Sequence, residues 1–181
     1  MPDPALLINI ARLSESGADF QFHLEESWFA RWQTQDPGLE FAGPGSLEVQ
    51  VHLERHGHDI LVRGHLGGSI TLSCGRCLTP FSYPVTVDFD LLLAPGPVFV
   101  NDKDLELTPE DLDLDFYEGE VVDLERLLKE QVLLQFPLKP LCRETCKGIC
   151  PGCGADLNQE PCRCTLHQTS SPFAQVKKPK T

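Results

Sequence analysis

Eight cysteines in four close pairs constrain this chain more than any other feature: Cys74 and Cys77, Cys142 and Cys146, Cys150 and Cys153, Cys162 and Cys164. Two residues between cysteines let a tight turn aim both sulfurs at one ion about 2.3 Å away, and two such turns complete a tetrahedron. Cys150-Pro151-Gly152-Cys153-Gly154 is the most specific of the four. Pro151 starts its turn, and Gly152 and Gly154 are expected to take the positive φ that such a knuckle needs. Eight ligands imply two structural Zn2+ sites, with one as the lesser alternative.

The pairs can combine in three ways. Eight residues separate Cys153 from Cys162, against 64 between Cys77 and Cys142. That difference costs about 1.8 kcal/mol of loop closure, little beside the binding energy of zinc. The preferred combination is therefore a local site of Cys150, Cys153, Cys162 and Cys164, with Cys74, Cys77, Cys142 and Cys146 clamping the root of the tail to a sheet. Pairing Cys142 and Cys146 with Cys150 and Cys153 stays open.

Redox and catalytic alternatives fit less well. No stretch approaches the roughly 18 to 20 apolar residues of a membrane span, and the start lacks the regions of a signal peptide. A cytoplasmic location is expected, where clustered thiols serve metal binding or redox chemistry rather than disulfides. A dithiol oxidoreductase sets its nucleophile at a helix N-terminus, whereas Cys74 and Cys77 lie between two strand patterns with Pro80 and Pro84 just downstream. Catalytic zinc keeps an open position. His52, His56, His58 and His65 fall on the strands and turn of one hairpin, with the alternation of solvated side chains. No Walker loop, paired-carboxylate site or nucleophile elbow is present, and the reading is that this is not an enzyme.

Alternation of apolar and polar residues marks the strands. Leu47, Val49, Val51 and Leu53 form one face; Phe20, Phe22 and Leu24 another; Tyr83 to Leu93 the longest; Leu6, Ile8 and Ile10 a short one. His56-Gly57-His58-Asp59 reads as a turn, and Gly67-Gly68 as a second hairpin between Ile60–Leu66 and Ile70–Leu72. One long helix is expected over about 123–136, capped by Asp123, with Glu125 in its first turn and Pro137 as its stop. Leu124, Leu127, Leu128 and Val132 supply its buried face, which Val121, Val122, Leu133, Leu134 and Phe136 are expected to widen until both ends are covered. Residues 27–33 suggest a short helix capped by Ser27. The fold class is α+β, mainly β: an antiparallel sheet or open barrel with one long helix and a small zinc-ribbon-like C-terminal segment. Its parts are an antiparallel β domain over 1–138, a cysteine-rich zinc-binding module over 139–165 and a basic flexible tail over 166–181.

Charge divides the chain the same way. Residues 1–138 hold 8 Lys and Arg against 24 Asp and Glu, a net −16, and residues 139–181 hold 7 against 3, a net +4. Residues 94–120, with three prolines and a dense acidic run from Asp102, read as a solvated linker. An acidic body repels a phosphate backbone and attracts basic proteins.

Two segments carry a family likeness: Leu72-Ser-Cys-Gly-Arg-Cys-Leu-Thr-Pro-Phe81, and Leu134 to Asn158 with its Leu-Gln-Phe-Pro start and cysteine-rich end. Both resemble the bacterial YceD-type family, the large ribosomal RNA subunit accumulation proteins, and Pro172-Phe173-Ala174 before lysines is similar to that family's end. The resemblance implies a non-enzymatic role in synthesis, processing or stability of 23S ribosomal RNA, and so in large ribosomal subunit biogenesis. Combined with the charge, it suggests an adaptor for a basic ribosomal protein or assembly factor and for 23S rRNA, with no membrane or small-molecule substrate. Phe173, Lys177, Lys178 and Lys180 are the expected RNA or partner contacts. The rival readings are a zinc-ribbon nucleic-acid-binding module and a thiol oxidoreductase.

Overall fold

The main sheet follows from the alternation. In the computed structural model, which describes residues 3–14, 16–36, 38–39, 41–96 and 114–164, β3 (Ser46–His56) and β4 (Asp59–Ser73) join at His56-Gly57-His58-Asp59. β5 (Pro80–Pro95) pairs antiparallel with β4 from Ile60↔Leu93 to Ser73↔Pro80. β2 (Ala18–Leu24) pairs antiparallel with β3 on the other side. β6 (Leu114–Tyr117) runs parallel to β5, so the order is β2-β3-β4-β5-β6 and the sheet is open rather than closed. Leu6, Ile8 and Ile10 are buried as expected, but only Leu7–Asn9 is strand (β1), and it pairs with β7 (Val121–Asp123) in a separate ribbon.

Helices cover one face. Leu47, Val49, Val51 and Leu53 on β3, Ile60, Val62 and Leu66 on β4, and Val85 and Phe89 on β5 are buried with the apolar sides of α1 (Glu26–Gln35) and α2 (Leu124–Leu134). Phe29 and Trp32 of α1 meet Phe41 with ring centroids 5.3 Å apart, Trp28 meets Phe29 and Trp32 at 5.0 and 5.1 Å, and Phe41 meets Phe136 at 5.7 Å. Such edge-on and tilted contacts are the favoured aromatic geometry.

Several expectations are corrected. Gly67-Gly68 is not a turn: β4 runs straight through it, and Gly68, at φ +153°, passes so close to β3 that a Cβ there would lie 2.1 Å from the Ser46 carbonyl. Close approach, not reversal, explains Gly68. Helix α1 starts at Glu26 with Glu25 in the cap position, so Ser27 lies inside it rather than capping it. α2 has the expected cap, Asp123 Oδ1 accepting the Arg126 N–H at 3.1 Å, but it ends at Leu134. Its C-terminal end is covered only in part: Phe136 packs against the core as expected, but Leu133 lies about 100° round the helix from Val132, and Leu134 is 75 % exposed. Residues 94–95 and 114–117 are strand rather than linker, Val121 and Val122 belong to a strand that leads into α2, and the acidic stretch 97–113 lies outside the described residues.

Glu125 is more than a first-turn charge. It is 2 % exposed, its Oε2 accepts the Asp3 N–H at 2.6 Å, and Lys129 Nζ stands 3.0 Å from Oε1, off the line of a hydrogen bond. Lys129 also donates to Gln35 Oε1 at 2.6 Å and lies over the Trp28 and Trp32 rings at 6.0 and 5.8 Å. The pair thereby ties the start of the chain, α1 and α2 together.

Candidate metal centres

The first knuckle occupies the junction of β4 and β5. In Cys74-Gly75-Arg76-Cys77 the Leu78 N–H returns to the Cys74 carbonyl at 2.9 Å, and the Cys74 N–H to the Thr79 carbonyl at 3.1 Å. Cys150-Pro151-Gly152-Cys153 repeats the turn: Gly154 N–H to Cys150 O at 2.9 Å, and Cys150 N–H to Ala155 O at 2.8 Å. Gly154 has φ +73° as expected, and Leu78 takes the same place at +60°. Gly152 is not in that region. Its missing side chain instead makes room for sulfur, since a Cβ there would lie 2.7 Å from Cys164 Sγ.

Two groups of four sulfurs result. Cys74, Cys77, Cys142 and Cys146 form one, Cys150, Cys153, Cys162 and Cys164 the other, and within each group all Sγ atoms lie within 4.8 Å of one another. This is the combination that loop closure favours. Recorded separations are 3.9 Å for Cys74–Cys146, 3.7 Å for Cys77–Cys142, 3.4 Å for Cys150–Cys162 and 3.7 Å for Cys150–Cys164. A tetrahedron with metal–sulfur bonds of about 2.3 Å has edges of about 3.8 Å, so both groups have the size of a tetrathiolate site. A disulfide needs about 2.05 Å, and all eight cysteines are free.

Main-chain donors prepare the sulfurs for charge. Burial pushes the Cys74 thiol up, but N–H groups at Cys142, Cys77 and Arg76 outweigh it and bring the thiol down to about 6. N–H groups at Cys153 and Gly152 lower Cys150 to about 6. The last proton is the hard one: Cys142 is pushed up to about 12 by burial and by its sulfur neighbours, and Cys164 to about 12 by Cys162, Cys150 and Cys153. A divalent cation removes that mutual opposition, and an all-sulfur tetrahedron suits zinc or iron. Four thiolates leave no open coordination position.

Residues that the spacing did not reveal hold the two centres together. Arg76 donates through Nη1 to the carbonyls of Cys146 at 2.8 Å and Glu144 at 3.1 Å, while its own carbonyl accepts the Ile149 N–H at 3.0 Å. Pro140 O accepts the Gly75 N–H at 2.7 Å. Gly148, at φ +75°, passes so near that a Cβ would stand 2.9 Å from Arg76 O. Asn158 Nδ2 reaches Cys146 Sγ at 3.5 Å and Asp156 Oδ1 at 2.8 Å, and Asn158 Oδ1 accepts the Lys147 N–H at 2.9 Å. The Asn158 N–H holds the Asp156 carboxyl below its ordinary range.

The histidines stand elsewhere. His52 Nδ1 pairs with Asp19 at 2.8 Å and His65 Nδ1 with Asp88 at 2.6 Å across the outer face of the sheet, beside an open groove of about 610 Å³. His56 pairs with Glu54 at the turn. Phe173, Lys177, Lys178 and Lys180 lie outside the described residues. No helix among the described residues is long and apolar enough to cross a membrane.

The family described as large ribosomal RNA subunit accumulation protein YceD matches residues 62–180, a span that contains both cysteine centres. An uncharacterised protein of Mycobacterium tuberculosis is 31 % identical over 160 residues, covering 86 % of this chain and 72 % of its own. The chloroplastic large ribosomal RNA subunit accumulation protein YCED homolog 1 of Arabidopsis thaliana is 29 % identical over 140 residues, 65 % of this chain and 43 % of its own. An uncharacterised Bacillus subtilis protein is 29 % identical over 92 residues, half of this chain and 49 % of its own. No solved structure matches.

Proposed function

The chain belongs to the YceD family of large ribosomal RNA subunit accumulation proteins, and from that membership we propose that it is a non-enzymatic factor in 23S rRNA accumulation and large-subunit biogenesis in the cytoplasm. The observation that carries this reading is the family match over residues 62–180. The chain acts as an adaptor. Its β domain, residues 1–138 at a net −16, holds a basic ribosomal protein or assembly factor; its tail, residues 166–181 with Phe173, Lys177, Lys178 and Lys180, contacts 23S rRNA.

Between them, residues 139–165 form a zinc module. The eight cysteines hold two Zn2+ ions, which supply rigidity rather than chemistry, since a filled tetrathiolate neither binds substrate nor activates water. Their geometry and their N–H donors support this role.

Depletion of the protein in its own cell is expected to lower 23S rRNA relative to 16S rRNA; an unchanged ratio would sink the reading. The adaptor version has its own test in pull-downs from nuclease-treated extract. Basic protein partners should remain bound, and their complete loss with the RNA would remove the protein-binding half of the proposal.

A further inference from the structure

Among the described residues, β2 is an edge strand with neither a bulge nor a covering segment. Exposed edges are usually blunted by a bulge, a proline, a lysine or a covering segment. Residues 18–24 have no proline or lysine, and their register with β3 is unbroken from Ala18↔Leu53 to Leu24↔Leu47. Among the described residues, no backbone group bonds to this strand from its other side. The opposite edge is different: β6 has four residues, and its Phe116 carbonyl accepts from the Arg126 side chain.

The strand's sequence is a chemical palindrome. Asp19-Phe20-Gln21-Phe22-His23 reads the same outward from Gln21, with an acid at one end and an imidazole at the other. Place a second copy beside it, related by a two-fold axis normal to the sheet through Gln21. Gln21 then faces Gln21, Phe20 faces Phe22, and Asp19 faces His23 of the second copy. Such an axis keeps each face on its own side, so the phenylalanines stay with the cores and Asp19, Gln21 and His23 stay in water.

Each facing pair suits the distance of about 4.5 to 5.5 Å that antiparallel pairing imposes. Phe20 and Phe22 are half-buried against the core, their rings parallel within 3° and 6.3 Å apart, which leaves an apolar flank at the edge. Asp19 is 86 % exposed and uses Oδ1 on His52; His23 is 45 % exposed, uses Nδ1 on Glu48 at 2.6 Å, and has only the longer contacts of Nε2 to Ser46 Oγ at 3.5 Å and Glu25 Oε1 at 3.6 Å on its other side. Like-charged bodies oppose the approach, but charges farther apart than the Debye length of about 8 Å are screened, whereas the facing pairs are not.

We propose that the free edge of β2 is a self-association surface, on which two copies pair β2 against β2 about Gln21 to make one continuous ten-stranded sheet. An unrelated extended peptide would gain the main-chain bonds alone. A second copy matches the side chains at all five positions as well.

Sedimentation equilibrium of the full metal-loaded chain tests this. The unmodified protein should show a concentration-dependent dimer in the micromolar range. Gln21→Lys and Gln21→Glu each set like charges face to face at the axis and should weaken association about tenfold or more. An equimolar mixture of the two variants should restore it, because Lys then faces Glu. Amide exchange in the unmodified chain gives a second readout: residues 19–23 should gain protection as concentration rises. A protein that stays monomeric, a dimer indifferent to both substitutions, or a mixture that fails to recover would overturn the proposal.

Discussion

Leu78 stands where the second knuckle has Gly154, in the left-handed region at φ +60°, and is 62 % exposed. That conformation costs a side-chain-bearing residue about 1 to 2 kcal/mol, while glycine's extra freedom in the unfolded chain returns about 0.5 to 1. Leu78→Gly should therefore raise the unfolding free energy by roughly 0.5 to 1 kcal/mol in urea titrations. Gly148→Ala should do the opposite. It meets both an unfavourable φ and the Arg76 carbonyl, and a loss of about 1 to 3 kcal/mol is expected in the same measurement. Glu125→Ala leaves Lys129 and the Asp3 N–H without their buried partner and should cost about 3 kcal/mol.

At the level of elements, β3 and β5 were legible because helices cover one side of the sheet, so alternation maps directly onto burial. β4 was half legible: its inner face includes Gly68, and a glycine admitted for close approach resembles a glycine at a turn. β6 and β7 were hidden by acidic neighbours and by brevity. The cysteine groups were readable from spacing and loop length. Arg76 and Asn158 were not: Arg76 reaches Cys146 across 70 positions and Asn158 reaches a sulfur of the other centre, and no local pattern encodes either contact. Each knuckle is an element in its own right, and the two should part under substitution. Cys74→Ser should lose one of two metal ions and expose the stretch near Pro140 to limited proteolysis; Cys150→Ser should lose one ion and leave that stretch protected. Metal analysis and peptide mapping decide it.

For the molecule as a whole, a bound metal and pH would act through the same sulfurs. In the metal-free chain Cys74 sits near 6 against an ordinary 9.0. A lowered value means that the thiolate's contribution is complete above the ordinary value, shrinks as pH falls and is gone below about 6. Bound metal holds the thiolates lower still. The loaded chain should keep its stability to more acidic pH than the stripped chain, and a chromophoric chelator should report metal release where that stability fails. Equal acid sensitivity with and without metal would contradict tetrathiolate binding.

The first centre also determines where a mechanical load would travel. With metal bound, a pull applied to the C-terminus would enter the body at Cys142 and Cys146 and pass through sulfur to Cys77 and Cys74, 65 and 72 positions earlier in the chain. With metal in place, the force arrives at the junction of β4 and β5, the longest strand pair of the sheet. β6, β7 and α2, which lie between the two cysteine pairs in sequence, are left out of the load path, as slack in parallel with a taut bond.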